Sequence, residues 1–470
     1  MAKKVFYQNS TNYTQTLADY AVGMTYDKIP AEVLERAKML ALHTIGCSLA
    51  AGNLPQARAA IRTAGELNGG AGGGATLWVG GGKASPASAV FANGSIADIL
   101  DWEDCAWTGH PSAGVIPVAV AMAEDLHKSG KDFLTAVVTA YEVYTRVAMS
   151  VQPPADFNHA MGWGICSWQL FACSTPAAKL MGFDSHKMNQ AFGATCVYTP
   201  INSNLMQATM SNFYHYQHGQ TAQSGILACL NVKEGLDNLL DGLDVPYAYS
   251  EHVTTEEKRY WLNKDLDKFL MMNILVKHWP ANMWIQTPVE IVHDLAKEHR
   301  FNPDDIAGIV IDPPTQYRMQ FYEEGFSSLM DAQFSMPFVI ASMLYNIDRP
   351  GPNWYDRELF TDPRIITLAK KIKAGPSQED TLQGSFVRFQ SGDFPVKHVT
   401  ITMKDGTVYE KTLSKHKGHP DNMLSRQEFC DLFINNATFT LSEEKARKLM
   451  DFILNVEDAE DMSAIGELFK

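Results

Sequence analysis

Residues 30–52 read PAEVLERAKMLALHTIGCSLAAG, and this stretch decides the fold class. Val33, Leu34, Ala37, Leu40, Ala41 and Ile45 recur at the spacing that gathers side chains on one helix face. Pro30 suits a first turn, where a missing N–H costs nothing, and Gly52 suits the stop. The spacing predicts a helix over Pro30–Ala51. Further out, segments rich in Ala, Met and Leu, with little β-branched alternation, predict helices at Ser112–Lys128, Lys131–Val151, Trp168–Met181, His186–Val197 and Gln220–Asn231. The first half reads as mainly α. Between these helices, NGGAGGGATLWVGGG at 68–82 lacks a following GK[ST] and any GxGxxG between strand and helix. It is read as a mobile surface hairpin, not a phosphate-binding loop.

The pattern changes after about Met272. Ile306–Ile311 and His398–Met403 read as strands, the second running through KDG, a hairpin turn signal, into Thr407–Thr412. They flank helical pieces at Pro288–His299 and Phe334–Tyr345. After Gly418, LSRQEFCDLFINNA and LSEEKARKLMDFILNV are amphipathic helices with serine at each N-cap. The expectation is a mainly α, multi-domain chain. Residues 1–272 and 418–470 form a large all-helical domain built from both chain ends, and 273–417 form a smaller inserted α+β domain.

Length and composition narrow the function. With 470 residues, 46% hydrophobic and 20% charged, the chain has material for a large core and is not of disordered, collagen-like or coiled-coil composition. Its formal charge of −14 repels a nucleic-acid backbone, so no nucleic acid is expected as partner. An anionic substrate is repelled as well, unless cations are placed locally. The seven cysteines show no zinc spacing and suit a reducing cytosol. No apolar run reaches the ~18 residues of a membrane span, so neither membrane insertion nor secretion is expected and the location is read as cytoplasmic.

Three segments offer chemistry. DILDWEDCAWTGH, residues 98–110, packs four acids before a His-Pro step. Asp101 and Asp104 share a face if the helix persists, where like charge raises a carboxyl pKa, and His110 titrates near neutrality. A proton-transfer site, a solvated helix end and a metal site all fit that pattern. Residues 188–232 hold no Asp, Glu, Lys or Arg in 45 positions, where about nine are expected from the chain average. Inside lies SNFYHYQHG, 211–219, with His215 and His218 among aromatics and amides. It reads either as a desolvated pocket wall or as a buried helix pair with satisfied histidines. LVKHWPANMWIQ, 275–286, places Lys277 at the proposed inter-domain step, as a site cation or an ordinary exposed lysine.

Together these blocks resemble a known family. ANGSIADILDWEDCAWTGHPSAGVIPVAVAMAE resembles the NGxxxHxLDxDD…HP signature of the MmgE/PrpD family. TAYEVYTRVA is similar to its GYEVxxR helix, AAKLMGFDSHKMNQAFGAT to its AAKLLGLD block and HGQTAQSGILACL to its HAGxAAxSGxxAAxL block. VKHWPAN and AQFSMPFVIA resemble its two motifs in the smaller domain. The family includes 2-methylcitrate dehydratases, cis-aconitate decarboxylases and iminodisuccinate epimerases. The resemblance implies that the inserted domain is a lid, that the chain is a homodimer, and that no metal, iron–sulfur cluster or organic cofactor is used. It implies proton abstraction next to a carboxylate, then loss of water or carbon dioxide, or reprotonation.

Carried over by residue, the resemblance makes Asp101, His110 and Lys277 catalytic candidates, with Tyr214 and His215 beside them. Asp104, Thr108, Trp163, Gln217, His218, Trp279 and Asn282 are expected to line the substrate pocket. The chain departs from the pattern at Gly164, Tyr214, Gln217, Asn282 and Phe338, where the family often has His, Lys, His, Cys or His, and Tyr. These changes make the pocket less cationic and more aromatic. The expectation is a cofactor-independent lyase, of dehydratase or decarboxylase type, for a small carboxylic acid less charged than 2-methylcitrate. The alternatives are an epimerase or isomerase of such an acid, and a non-catalytic acid-binding protein.

Overall fold

The computed structural model describes residues 11–106, 109–151, 166–199, 206, 209–237, 239–245, 249, 256–378 and 396–470. Helix α1 (Tyr13–Gly23) leads to α2 (Ala31–Ala51), which follows the expected helix closely, with Pro30 at its N-cap. From Arg36 to Ala51 every residue of α2 is buried, so the one-sided pattern of its first turns gives way to a central helix packed on all sides. α3 (Pro55–Asn68), α4 (Pro86–Asp98), α5 (Ser112–Asp125), α6 (Gly130–Val151), α7 (Cys166–Leu180) and α8 (Ser185–Val197) surround it or each other.

The expected helix Gln220–Asn231 is longer: α9 runs Phe213–Lys233 and takes in most of the SNFYHYQHG motif. Phe, Tyr and His lose side-chain freedom in a helix, so propensity alone gave no sign of this extension. Packing against α4 supplies it. An ideal Cβ on Gly94 would lie 3.2 Å from the Gly219 Cα, and one on Gly219 only 2.0 Å from the Phe91 carbonyl oxygen. Two helices cross there almost backbone to backbone.

The glycine-rich stretch forms a hairpin, β1 (Ala75–Thr76) with β2 (Lys83–Ala84), but it is anchored. Trp78 is buried against Phe469, and its backbone N–H donates to Asn93 Oδ1 at 3.0 Å. β3 (Asp104–Cys105) pairs antiparallel with β4 (Leu275–Val276), tying the loop after α4 to the start of the α+β part.

That part holds β5 (Ile306–Asp312), β6 (Ile372–Ala374), β7 (Lys397–Met403) and β8 (Val408–Leu413) in the order β6-β5-β7-β8. β7 alternates buried and half-buried residues along its length, as a one-faced strand should. Gly406 makes the expected β7–β8 turn at φ +90°. β6 has only three residues and leaves too short a period to read from sequence. Helices Gln286–His299 and Met336–Tyr345 complete this layer, the first against β7 and β8. Helices Arg426–Ala437 and Glu443–Leu454 pack on α2, bringing the chain's end back to its beginning. Among the described residues, no helix is long and apolar enough to cross a membrane.

Candidate active site

The crossing of α4 and α9 sets the site. The helices run antiparallel, so one turn beyond Gly94 lies Asp98 and one turn before Gly219 lies His215. His215 Nδ1 is 2.6 Å from Asp98 Oδ2, and His218 Nε2 is 3.2 Å from Asp98 Oδ1. Gln169 on α7 steadies the second ring, its Oε1 2.7 Å from His218 Nδ1, while its Nε2 donates to the His110 carbonyl at 2.6 Å.

Helix α4 ends at Asp98, and Asp101 adopts φ +48°, a left-handed conformation that aspartate tolerates better than most residues. Asp101 and Asp104 therefore share no helix face. Asp104 turns into the core, accepting the Ser112 N–H at 3.0 Å and the Tyr141 hydroxyl at 2.6 Å. Asp101 turns toward the α+β part. There the Lys277 ammonium donates to Asp101 Oδ1, and to Glu103 Oε1 at 2.9 Å, and lies 3.2 Å from His110 Nδ1. His110 Nδ1 also meets Glu103 Oε1 and lies 3.1 Å from Asp98 Oδ1. Asn282 donates to Asp101 Oδ2 at 3.0 Å and accepts from Arg318 Nε at 2.9 Å. Pairing of β3 with β4 fixes Lys277 just beyond Val276, with its own N–H toward the Glu103 carbonyl.

All of these acids, Lys277, His215 and His218 are completely buried. Burial and Lys277 push the His110 imidazole toward neutrality, but Glu103 and Asp98 outweigh them and raise its pKa to about 9. Burial likewise opposes charge on His218, and Asp98 lifts its pKa well above the ordinary value. Burial alone would raise Asp98; the surrounding imidazoles hold it well below the carboxylate range. Burial and the nearby acids Asp101, Asp98 and Glu103 raise the Tyr214 phenol, so it stays protonated. Its ring packs edge-on to His215 and Phe334, and its hydroxyl has no hydrogen-bond partner among the described residues. His215 Nε2 is also buried without a partner. Asp98, His110 and His218 bring donor atoms within 4.8 Å of one another, as do Asp98, Asp101, Glu103 and His110. Lys277 Nζ already lies among this second set, so the cation that these acids answer is an ammonium.

Of the residues singled out in the sequence, Asp101, His110, Tyr214, His215, His218, Lys277 and Asn282 come together here. Asp104 is a core anchor beside them. Gln217 is buried on α9, one turn from Tyr214, and both its amide atoms lack partners among the described residues. Trp279 turns away: its indole N–H donates to Glu290 at 2.6 Å and its ring stacks 5.9 Å from Trp354. Thr108 and Trp163, with Gly164, lie outside the described residues. Sequence reasoning passed over Asp98, Glu103 and Arg318 as site residues. Asp98 and Glu103 belonged to the acid-rich run, but only the helix crossing and the β3–β4 pairing show where they point. Arg318 had no motif around it.

The family model of the MmgE/PrpD N-terminal domain matches residues 15–259, and that of the MmgE/PrpD C-terminal domain matches residues 279–458. A cis-aconitate decarboxylase of Homo sapiens is 26% identical over 82% of this chain and 79% of its own length. One of Aspergillus terreus is 21% identical, covering 97% and 95%. A cis-aconitate decarboxylase-like protein of Aspergillus oryzae is 27% identical, covering 97% and 96%. The expected carbon–oxygen or carbon–carbon lyase class agrees with these relatives. Two domain models matched in order across most of the sequence, on a fold that is mainly helical with only small sheets, establish that the chain belongs to the MmgE/PrpD family.

Proposed function

We propose that the chain is a lyase of dehydratase or decarboxylase type, which moves a proton at a carbon next to a carboxylate in a small organic acid. The observation that carries this reading is the buried network in which Asp98 holds His215 while Glu103, Asp101 and Lys277 surround His110. The two histidines have different work. Asp98 fixes His215 through Nδ1 and leaves Nε2 without a partner among the described residues, the arrangement of a positioned base. His110, with its pKa raised to about 9, is a cation at neutral pH and serves as proton donor or as counter-charge to a developing enolate. The Tyr214 phenol is placed to protonate a departing hydroxyl. Lys277 is committed to Asp101 and Glu103, so it positions them and neutralises their charge while the substrate is held by other groups.

A pocket with its lysine so engaged supports an acid carrying fewer carboxylates than 2-methylcitrate. The exposed apolar side chains of Val197, Phe213, Leu227, Leu236 and Leu239 support a second copy of the chain as partner. Seven unpaired cysteines support a reducing, cytoplasmic setting.

The test is proton NMR in deuterated water with cis-aconitate, 2-methylcitrate and a panel of smaller hydroxy and unsaturated acids. The expected result is loss of water or carbon dioxide from at least one acid, lowered 100-fold or more by His215→Ala and by His110→Ala. Deuterium entering recovered substrate without elimination would replace the lyase by an isomerase. Absence of both product and exchange across the panel would leave an acid-binding protein.

A further inference from the structure

Arg318 follows Tyr317 at the end of a short helical turn, Gln316–Arg318, and is only partly exposed. Its Nε donates to Asn282 Oδ1 at 2.9 Å and its Nη1 to the Tyr317 carbonyl at 3.3 Å. No carboxylate pairs with it among the described residues. A guanidinium carries five N–H donors, and these contacts engage two. The edge formed by Nη1 and Nη2 keeps the remaining three. Withdrawing a cation from water without an anion is costly, so a guanidinium left in this state beside a reactive cluster calls for an anion from outside the chain. Its surroundings restrict which anion. The guanidinium lies 4.3 Å from the Phe334 ring centroid and 5.1 Å from that of Tyr317, with Tyr214 edge-on to Phe334 at 5.6 Å.

Charge sets the number of carboxylates. Asp98, Asp101 and Glu103 face the Lys277 ammonium and the His110 and His218 rings, so the buried network answers its own charge. Arg318, reached from Asp101 through Asn282, has no carboxylate of its own among the described residues. We propose that Arg318 is the substrate anchor of this site, binding one carboxylate end-on through Nη1 and Nη2 while the apolar remainder of the acid lies against Phe334 and Tyr214. A planar, two-point grip of this kind orients the acid as well as holding it, which a lysine cannot do. The inference rests on the proposed acid chemistry and names the class of acid: a monocarboxylate with an apolar or aromatic body.

The test is calorimetric titration of the whole chain with three probes: 3-phenylpropanoate, its uncharged primary amide, and propane-1,2,3-tricarboxylate. The wild type is expected to bind 3-phenylpropanoate at least tenfold more tightly than the amide or the tricarboxylate. Arg318→Gln should weaken the carboxylate tenfold or more and leave the amide unchanged, and Arg318→Lys should recover part of the loss. Equal affinity of Arg318→Gln and wild type for the carboxylate would overturn the proposal. So would failure of the wild type to prefer the carboxylate over the amide, a comparison that needs no variant to fold. Preference for the tricarboxylate would overturn the single-carboxylate class. Deuterium exchange keeps the two readings apart: Arg318-dependent binding without exchange defeats the lyase, and exchange with an unchanged KM in Arg318→Gln defeats the anchor alone.

Discussion

At the scale of single residues, the site depends on which proton sits where, and His110 offers the clearest measurement. Its pKa is raised from an ordinary 6.5 to about 9, because Glu103 and Asp98 favour the imidazolium more than burial and Lys277 oppose it. Between those two values the folded chain holds a proton that the unfolded chain has released. His110 therefore stabilises the fold fully below about pH 6.5, and that contribution fades as pH rises through about 9. Lys179 has the opposite sign. Burial lowers its pKa from 10.5 to about 8, so stability grows as pH rises from about 8 to 10.5. The measurement is the difference in urea stability between wild type and His110→Gln at pH 6.5 and pH 9, in which Lys179 cancels. The expected difference shrinks with rising pH by on the order of 3 kcal/mol at most. A difference that stays flat or grows across this range would show that His110 is not held as a cation. The sequence announced the acids and the histidine, but not this assignment of roles. The sign of the shift depends on Glu103 and on Asp98, which sits twelve residues before His110 at the end of α4, and no spacing rule conveys that both meet the ring.

At the scale of elements, the meeting of α4 and α9 decides whether Asp98 reaches His215 and His218. In the middle of an ordinary helix, replacing glycine by alanine gains about 1 kcal/mol. At Gly219 the new methyl would meet the Phe91 carbonyl oxygen at 2.0 Å and Ser95 Oγ at 2.2 Å, so the helices must separate. Gly219→Ala is expected to lower stability by about 3 kcal/mol, the upper part of the range for overpacking, and to depress turnover further by drawing both histidines from Asp98. A variant as stable and active as wild type would refute this account of the crossing. The long helices were legible because hydrophobic periodicity accumulates over many turns, as in α2, α5 and α6. The β5, β7 and β8 strands were legible through alternation and the KDG turn. What was hidden is short or set by packing: β6, the two-residue pair β3–β4, the anchoring of the β1–β2 hairpin through Trp78, and the first two turns of α9. Trp279 shows the same limit. Its place within a family motif suggested substrate contact, whereas its indole is spent on Glu290 and Trp354 inside the α+β part.

At the scale of the whole molecule, the site exists only where three distant segments meet: 98–110, 214–218 and 277–318. The ion pairs of Lys277 with Asp101 and Glu103 join the loop after α4 to the strand that opens the α+β part, and every partner is fully buried. A buried ion pair gains little over a well-packed apolar pair, yet removing one partner strands the other's charge. Lys277→Met should therefore cost about 3–5 kcal/mol by leaving two carboxylates without their cation. Asp101→Asn removes one of those carboxylates, so in the double variant part of that cost disappears. Urea unfolding of the wild type, both single variants and the double variant should yield a coupling on the order of 1–3 kcal/mol, with the double variant more stable than the summed single losses require. Additive losses would mean that Asp101 and Lys277 do not answer one another across the two parts of the chain. Turnover should stay low in the double variant even where stability returns, because Asn282 loses its carboxylate acceptor on Asp101 and the link from Arg318 to the buried network goes with it.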